Sequence, residues 1–415
     1  MTDARRAVEA VWRIESARVI AGLTRFVGDF ALAEDLAQEA LLAALRQWPE
    51  SGVPENPGAW LTAVGKRRAV DHFRRTAIGE RKLEELGRER PEEPDPAELV
   101  GDDVGDDLLR LIFIACHPVL SREARAALTL RVCGGLTTAE IARAFLATEA
   151  AIAQRIVRAK RTLAEARVPF EVPPGADRVA RLSSVLEVIY LIFNEGYAAS
   201  AGDDVLRPEL CDDALRLGRI LAGLVPGEPE VHGLVALMEL QASRFPARTG
   251  PTGAPVLLFD QDRSRWDRLL IRRGLAALER AERLGAPLGP YTLQAAIAAC
   301  HARARAPEET DWERIVALYD ALAEVMPSPV VELNRAVAVG MAFGPAAGLE
   351  LADALRAETA LARYHLLPAV RGDLLERLGR REEAAAEFER SASMTRNARE
   401  QELLLGRAAA CLGRV

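Results

Sequence analysis

The segment 136–163, LTTAEIARAFLATEAAIAQRIVRAKRTL, sets cations and amides on one side of a helix and apolar residues on the other. Thr137 and Glu140 have the spacing of a capping box, in which each side chain satisfies a free amide at the start of a helix. Ile141, Ala142 and Phe145 would be the buried face of that first short helix, and Leu146-Ala147 the turn. Thr148 would cap a second helix running to about Leu163, with Ile152, Ile156, Ala159 and Leu163 facing inward at spacings of 4, 3 and 4. Its opposite face carries Glu149, Gln154, Arg155, Arg158, Lys160 and Arg161. That is the layout of a helix-turn-helix, whose guanidinium and amide groups can reach base edges in a major groove while its cations neutralise phosphates.

Two further stretches carry recognition chemistry. FALAEDLAQEALLAALRQW reads as an amphipathic helix with Leu32, Leu36, Leu41 and Leu45 inward and Asp35, Gln38 and Glu39 projecting together from the other side. The segment NPGAWLTAVGKRRAVDHFRRT begins a helix at an Asn-Pro pair and is strongly basic, with Lys66, Arg67, Arg68, Arg74 and Arg75 around the lone Asp71. Trp60, His72 and Phe73 are interleaved with that charge, a mixture suited to unpaired nucleic acid, although Trp60 and Phe73 also read as core residues.

The elements that must position these groups are helices. Ala, Leu, Arg and Glu dominate, aromatic residues make up 5% of the chain, and apolar positions recur at three and four. An all-α fold is expected. The 415 residues suffice for two to four domains, so a small disulfide-stapled scaffold is excluded. A net charge of -7 averages blocks of opposite sign. Between residues 83 and 107, eleven carboxylates face only Arg88 and Arg90, and Pro91, Pro94 and Pro96 interrupt any core pattern, so this block reads as a solvated acidic linker. The expected organisation is a helical module over residues 8–78, the acidic linker over 79–107, a helix-turn-helix module over 108–168, and a larger helical region over 180–415.

That last region ends in a repeat. Gly372, Ala384 and Phe388, around the turn at Gly379, sit where tetratricopeptide units place a small residue in the first helix and an Ala-x3-aromatic pair in the second. Tyr319 and Pro327 mark another such unit, and Gly344 the turn of a poorly matching one between, with a period of about 34 residues. Helix pairs of this kind present surface for a partner.

Enzyme chemistry finds little support. Five histidines (His72, His117, His232, His301, His365) are dispersed without ligand spacing, so no metal site and no catalytic group is argued. Gly134-Gly135 lacks the pattern that would cradle phosphate, so no cofactor is expected. Five separated cysteines without a Cys-x-x-Cys pair fit a reducing compartment. No stretch approaches the roughly 18 uncharged apolar residues needed to span a bilayer, so a soluble cytoplasmic protein without membrane contact is expected. Asn194-Glu195-Gly196-Tyr197, polar within an apolar run, reads as a cap and anchor for the next helix.

Taken in order, the blocks resemble a known family. D-x-x-Q-E-A (Asp35 to Ala40), W-L-x9-D-x-x-R-R (Trp60, Leu61, Asp71, Arg74, Arg75), a tether, and an L-T-x-x-E-I-A helix-turn-helix ending in R-A-K are similar to an extracytoplasmic-function (ECF) sigma factor of the sigma-70 family. The long tail, with LIFNEGY, GPYTLQAAIAACHA and LNRAVAV stretches, resembles the subgroup bearing a tetratricopeptide-like C-terminal extension. The resemblance implies two small helical sigma domains, region 2 and region 4, before a larger helical domain. It implies that Asp35, Gln38 and Glu39 dock on core RNA polymerase. Trp60, Lys66, Arg67, Arg68, Asp71, Arg74 and Arg75 would melt and read the promoter −10 element, and Thr148, Glu149, Gln154, Arg155, Arg158, Lys160 and Arg161 would serve the −35 element. Arg67 stands where many members have Asn. The extension would be a regulatory surface, with a protein or ligand as its partner. The alternative class is a helix-turn-helix regulator with a ligand-binding helical domain, which would need a dimer and a palindromic operator.

Overall fold

The computed structural model describes residues 3–75, 103–145, 147–197, 208–250, 255–285, 287–395 and 397–413. Leu146 and most of the acidic linker expected over 79–107 lie outside the described residues. All named elements are helical, and one isolated bridge, Thr249 to Pro255, is the sole β-pairing among the described residues. The chain divides into two compact units, residues 1–191 and 192–415.

In the first unit, α1 (Asp3–Val27), α2 (Phe30–Ser51) and α3 (Pro57–Arg75) pack on one another. Their apolar stripes meet in a core of Trp12, Ile20, Leu23, Leu36, Trp48, Leu61 and Phe73. Local signals start the helices: Asp29 accepts from the Leu32 amide at 3.0 Å to cap α2, and Asn56 accepts from the Ala59 amide at 3.0 Å ahead of Pro57 in α3. The second group comprises α4 (Asp103–Ala115), α5 (Arg122–Val132), α6 (Thr138–Ala144) and α7 (Glu149–Glu165). Here α4 packs along α1, while α7 packs on α2, α5 and α6. Gly135 turns the chain between α5 and α6 at φ +71°, and a Cβ there would lie 2.8 Å from Ser16 Oγ and 3.2 Å from Arg13 Cα of α1. The Gly134-Gly135 pair is therefore a packing device: only a residue without a side chain fits that turn against that helix.

The first half of α8 (Gly175–Tyr197) belongs to the same unit. Arg181 donates to the Phe113 carbonyl at 2.9 Å, Ser184 donates to the Cys116 carbonyl at 2.7 Å, and Arg122 donates to Glu187 at 2.6 Å. The first two bonds give donors to carbonyls at the C-terminal end of α4, and the third ties the start of α5 to α8 by a side-chain pair.

The second unit is built around α10 (Pro229–Ala242), apolar on nearly every side and packed on α9 (Pro208–Leu224), α12 (Arg268–Arg283) and α13 (Pro290–Arg303). Its buried Glu239 is matched by Arg219 at 2.8 Å. Gly289 offers α13 no capping side chain, and Glu230 of α10 does so instead, accepting from the amides of Tyr291 at 2.8 Å and Thr292 at 3.0 Å. Tyr197 ends α8 with its carbonyl accepting from Arg248 Nη1 at 2.6 Å and its ring under that guanidinium, 3.8 Å from the centroid. Tyr197, the last of the polar Asn-Glu-Gly-Tyr group, thus anchors the short helix α11 (Phe245–Arg248).

Consecutive antiparallel-type pairs follow: α14 (Trp312–Val325) on α13, α16 (Pro345–Ala354) on α15 (Pro329–Ala342), α18 (Arg381–Met394) on α17 (Leu366–Arg377), and α19 (Ala398–Cys411) on α18. Gly372 lies under the Phe388 ring, with Ala384 and Phe388 fully buried, as the repeat pattern requires. The middle pair carries a different device. A Cβ on Gly348 would sit 2.7 Å from Gly340 Cα and 2.7 Å from the Ala336 carbonyl, so α15 and α16 cross backbone to backbone, which replaces the small-against-aromatic signature there. All five cysteines are buried and free, and burial pushes the Cys116 thiol up to about 11. Among the described residues, no helix is long and apolar enough to cross a membrane, and no group of three His, Cys, Asp or Glu could hold a metal.

Two glycine substitutions should move stability in opposite directions. A Cβ on Gly233 would meet the Thr292 backbone nitrogen at 2.7 Å, so Gly233→Ala should cost about 1–3 kcal/mol. Gly406, exposed within α19, has nothing near its added methyl, and Gly406→Ala should gain about 0.5–1 kcal/mol. Urea denaturation of the full chain measures both.

Candidate nucleic-acid interface

The helix-turn-helix is assembled by the side chains that its sequence nominates. Glu140 Oε2 accepts from the Thr137 amide at 2.7 Å, while Thr137 Oγ1 accepts from the Glu140 amide at 3.2 Å. Burial pushes the Glu140 carboxyl up, but the Thr137 hydrogen bonds and the Arg13 guanidinium at 2.7 Å outweigh it and hold it below its usual range. Thr148 accepts from the Ala151 amide at 3.2 Å and starts α7. Ile152, Ile156, Ala159 and Leu163 are buried against α5 and α6.

On the outer side of α7, Thr148, Glu149, Gln154, Arg158 and Arg161 are exposed and Arg155 is half-buried. A cleft of about 500 Å³ runs between this face and the 119–124 corner, with Ser121, Glu123, Gln154, Arg155 and Arg158 on its walls. Arg161 is engaged by Glu165 at 2.6 Å, a surface pair that a phosphate can displace at little cost.

Lys160 departs from that face. Its Nζ lies 2.5 Å from Glu34 Oε2 and 3.1 Å from Asp35 Oδ1, both on α2. Burial works against its charge, but Glu34 and then Asp35 outweigh burial and raise the ammonium above its ordinary pKa. Arg131 of α5 completes the group, with Nε 3.3 Å from Glu34 Oε1 and Nη1 donating to the Leu136 carbonyl at 3.1 Å.

Glu34 was not singled out by its sequence position, yet its side chain is only 4% exposed. The signal was present: one residue before Asp35, it falls on the stripe of Ala33, Leu36, Ala37 and Ala40, where a carboxylate demands a cation from elsewhere. Asp35 and Glu39 stand out from α2, at 70% and 55% exposure, with Gln38 half-buried beside them.

The basic face of α3 has a cleft of its own. Trp60, Val64, Arg67, Arg68, Asp71 and Gln47 line a hollow of about 220 Å³. Phe73 is buried in the core, as its spacing suggests, whereas Trp60 is half-buried and meets Trp48 edge-on, with ring centroids 5.3 Å apart. Arg67, Arg74 and Arg75 are exposed. Arg68 reaches Glu39 at 3.7 Å, and Lys66 lies 5.5 Å from the Phe26 ring centroid. A flat ring, a shallow cavity and surrounding guanidinium groups can hold an unstacked base and its phosphates.

Two helical modules, each exposing one cationic helix with a hollow beside it, define a bipartite DNA-binding protein. Comparison with known proteins gives the class its name. Residues 13–77 match sigma-70 region 2, residues 110–163 match sigma-70 region 4, and residues 181–282 match a family of unknown function, DUF6596. The chain is 46% identical over 388 residues to the uncharacterized protein R00370 of Rhizobium meliloti, covering 92% of this chain and 90% of that one. It is 29% identical over 177 residues to the probable ECF RNA polymerase sigma factor SigI of Mycobacterium tuberculosis, covering 41% and 59%. It is 32% identical over 141 residues to the ECF RNA polymerase sigma factor BldN of Streptomyces coelicolor, covering 33% and 52%. The chain belongs to the extracytoplasmic-function sigma factors of the sigma-70 family and carries a long helical C-terminal extension.

The cap of α7 is open to a direct test. Thr148→Ala removes the acceptor for the Ala151 amide and should lower stability by about 1 kcal/mol, read from thermal unfolding by circular dichroism.

Proposed function

We propose that the two modules divide the work of a promoter-specificity subunit: Asp35, Gln38 and Glu39 on α2 dock on core RNA polymerase, α3 takes the −10 element, and α7 reads the −35 element. The observation that supports this division most is the pair of cationic helices with adjoining hollows, set in the region 2 and region 4 segments. On α3, Trp60 and the hollow beside it receive an unpaired base, while Lys66, Arg67, Arg68, Arg74 and Arg75 hold phosphates and Asp71 orients its arginine neighbours. On α7, Gln154, Arg155 and Arg158 face base edges in the major groove, Thr148, Glu149 and Arg161 flank them, and Lys160 joins them once it leaves α2. The protein has no bond-making role of its own, works in the cytoplasm alongside polymerase, and needs no cofactor. The extension from 192 onward is a regulatory surface in cis, open to a protein or small ligand.

Co-elution of the full chain with purified core polymerase at low ionic strength tests the docking. Replacing Asp35 and Gln38 together by Ala should weaken the complex at least about tenfold, or roughly 1.4 kcal/mol, with the circular-dichroism spectrum unchanged because Asp35 is exposed, Gln38 is only half-buried and Ala suits a helix. In the same assay, truncation after Leu191 should alter promoter output; equal output from the truncated and full chains would remove the regulatory role.

Arg155→Ala should reduce discrimination between promoter variants in the −35 element by about 1–3 kcal/mol. A uniform loss over all sequences, measured by transcription from a randomised promoter pool, would mark it as a phosphate contact instead.

A further inference from the structure

Residues 263–283 carry seven arginines against three carboxylates, inside a unit where acidic residues outnumber basic ones by 32 to 27. Most of this cationic block falls on α12, whose inner stripe of Ile271, Gly274, Leu278 and Ala281 is buried where the helix packs on α10 and α13. At about 100° per residue, Arg272, Arg273, Arg280 and Arg283 share an arc of about 100° on the opposite side, along about 16 Å of helix. All four are exposed.

The fold does little to neutralise that face. Elsewhere in the unit arginines meet carboxylates: Arg335 lies 2.6 Å from Asp320, Arg371 3.0 Å from Glu387, Arg380 2.7 Å from Glu383 and Arg407 2.8 Å from Asp373. Among the described residues, Arg272, Arg273 and Arg280 make no ion pair, and Arg283 reaches Glu279 at 3.8 Å with both side chains well exposed. A phosphate displaces such a surface pair at little cost.

The chemistry of the face selects its anion. Guanidinium groups take phosphate in a bidentate fork, and α12 carries no Asn or Gln whose amide would read an adenine edge. Leu269, 51% exposed in the same arc, can lie against deoxyribose. A stretch of duplex about 16 Å long carries about ten phosphate charges, at one per about 1.7 Å of axis, which is ample for four cations. One chain joins α12 to α3 and α7, so a duplex held by those helices raises the effective concentration of phosphate available to this face.

We infer that the outward face of α12 is a second-unit DNA contact: Arg272, Arg273, Arg280 and Arg283 bind the sugar-phosphate backbone of the promoter duplex and add affinity without reading sequence. The inference rests on the promoter binding proposed for α3 and α7. It gives the extension a direct hold on DNA beside any regulatory role.

The test measures binding of a long labelled promoter duplex by the full chain in complex with core polymerase, over a series of salt concentrations. Arg272→Gln, Arg273→Gln and Arg280→Gln combined should lower the slope of log affinity against log salt by about 2–3 and weaken low-salt binding at least about tenfold. The loss should be equal on promoters of different sequence. Lys at the same three positions should keep the slope, which a folding defect in the Gln variant could not mimic. An unchanged slope and affinity in a Gln variant that still co-elutes with polymerase overturns the inference and leaves promoter binding by α3 and α7 standing. Loss of co-elution in the Gln variant without DNA present also overturns it, since the face would then hold an acidic protein surface. Failure of the unsubstituted complex to bind promoter overturns the reading of α3 and α7, and this contact with it.

Discussion

A carboxylate nearly removed from water has to be compensated, and Glu34, like Asp107, is such a group in the first unit. Because it lies on the apolar stripe of α2, the helices that supply its cations must come to it. Arg131 fixes α5 by one oxygen and Lys160 fixes α7 by the other. The capping box of α6 is tied to the same arrangement through Arg13, so the start of the helix-turn-helix and its final helix are both held to the first three helices by charge. The closeness of Gly135 to α1 adds a steric condition: the turn between α5 and α6 fits only against a smooth stretch of helix.

Much of this was legible in the residues themselves. The inward set Ile152, Ile156, Ala159 and Leu163 and the caps Thr137, Glu140 and Thr148 follow from local spacing, because a helix brings residues three and four apart onto one face whatever lies beyond, while the Gly372 to Phe388 contact between two helices follows from the repeat pattern. The placement of Lys160 was not legible. Periodicity puts it at the edge of the exposed face, and only a partner 126 positions away in the chain decides that it turns inward. Trp60 shows the same limit: an aromatic residue within a basic helix reads equally as core or as binding surface, and its half-buried place beside Trp48 comes from packing between α2 and α3.

In the second unit the repeat was easiest to see where a small residue faces an aromatic one and hardest where two glycines meet. A backbone-to-backbone crossing such as Gly340 on Gly348 leaves no large side chain to recur at a fixed interval. The same unit borrows caps across elements: Glu230 serves the start of α13, and Arg248 closes the end of α8 from above the Tyr197 ring. Such bonds between distant positions specify one way of stacking successive helices, which a uniform apolar seam would leave free to slide.

The five cysteines are all sealed inside the fold. Burial raises the thiol pKa of Cys116, Cys211, Cys300 and Cys411, and a buried thiol is a weak nucleophile, since peroxides attack the thiolate at an accessible sulfur. Oxidative stress therefore finds no ready trigger at these sulfurs.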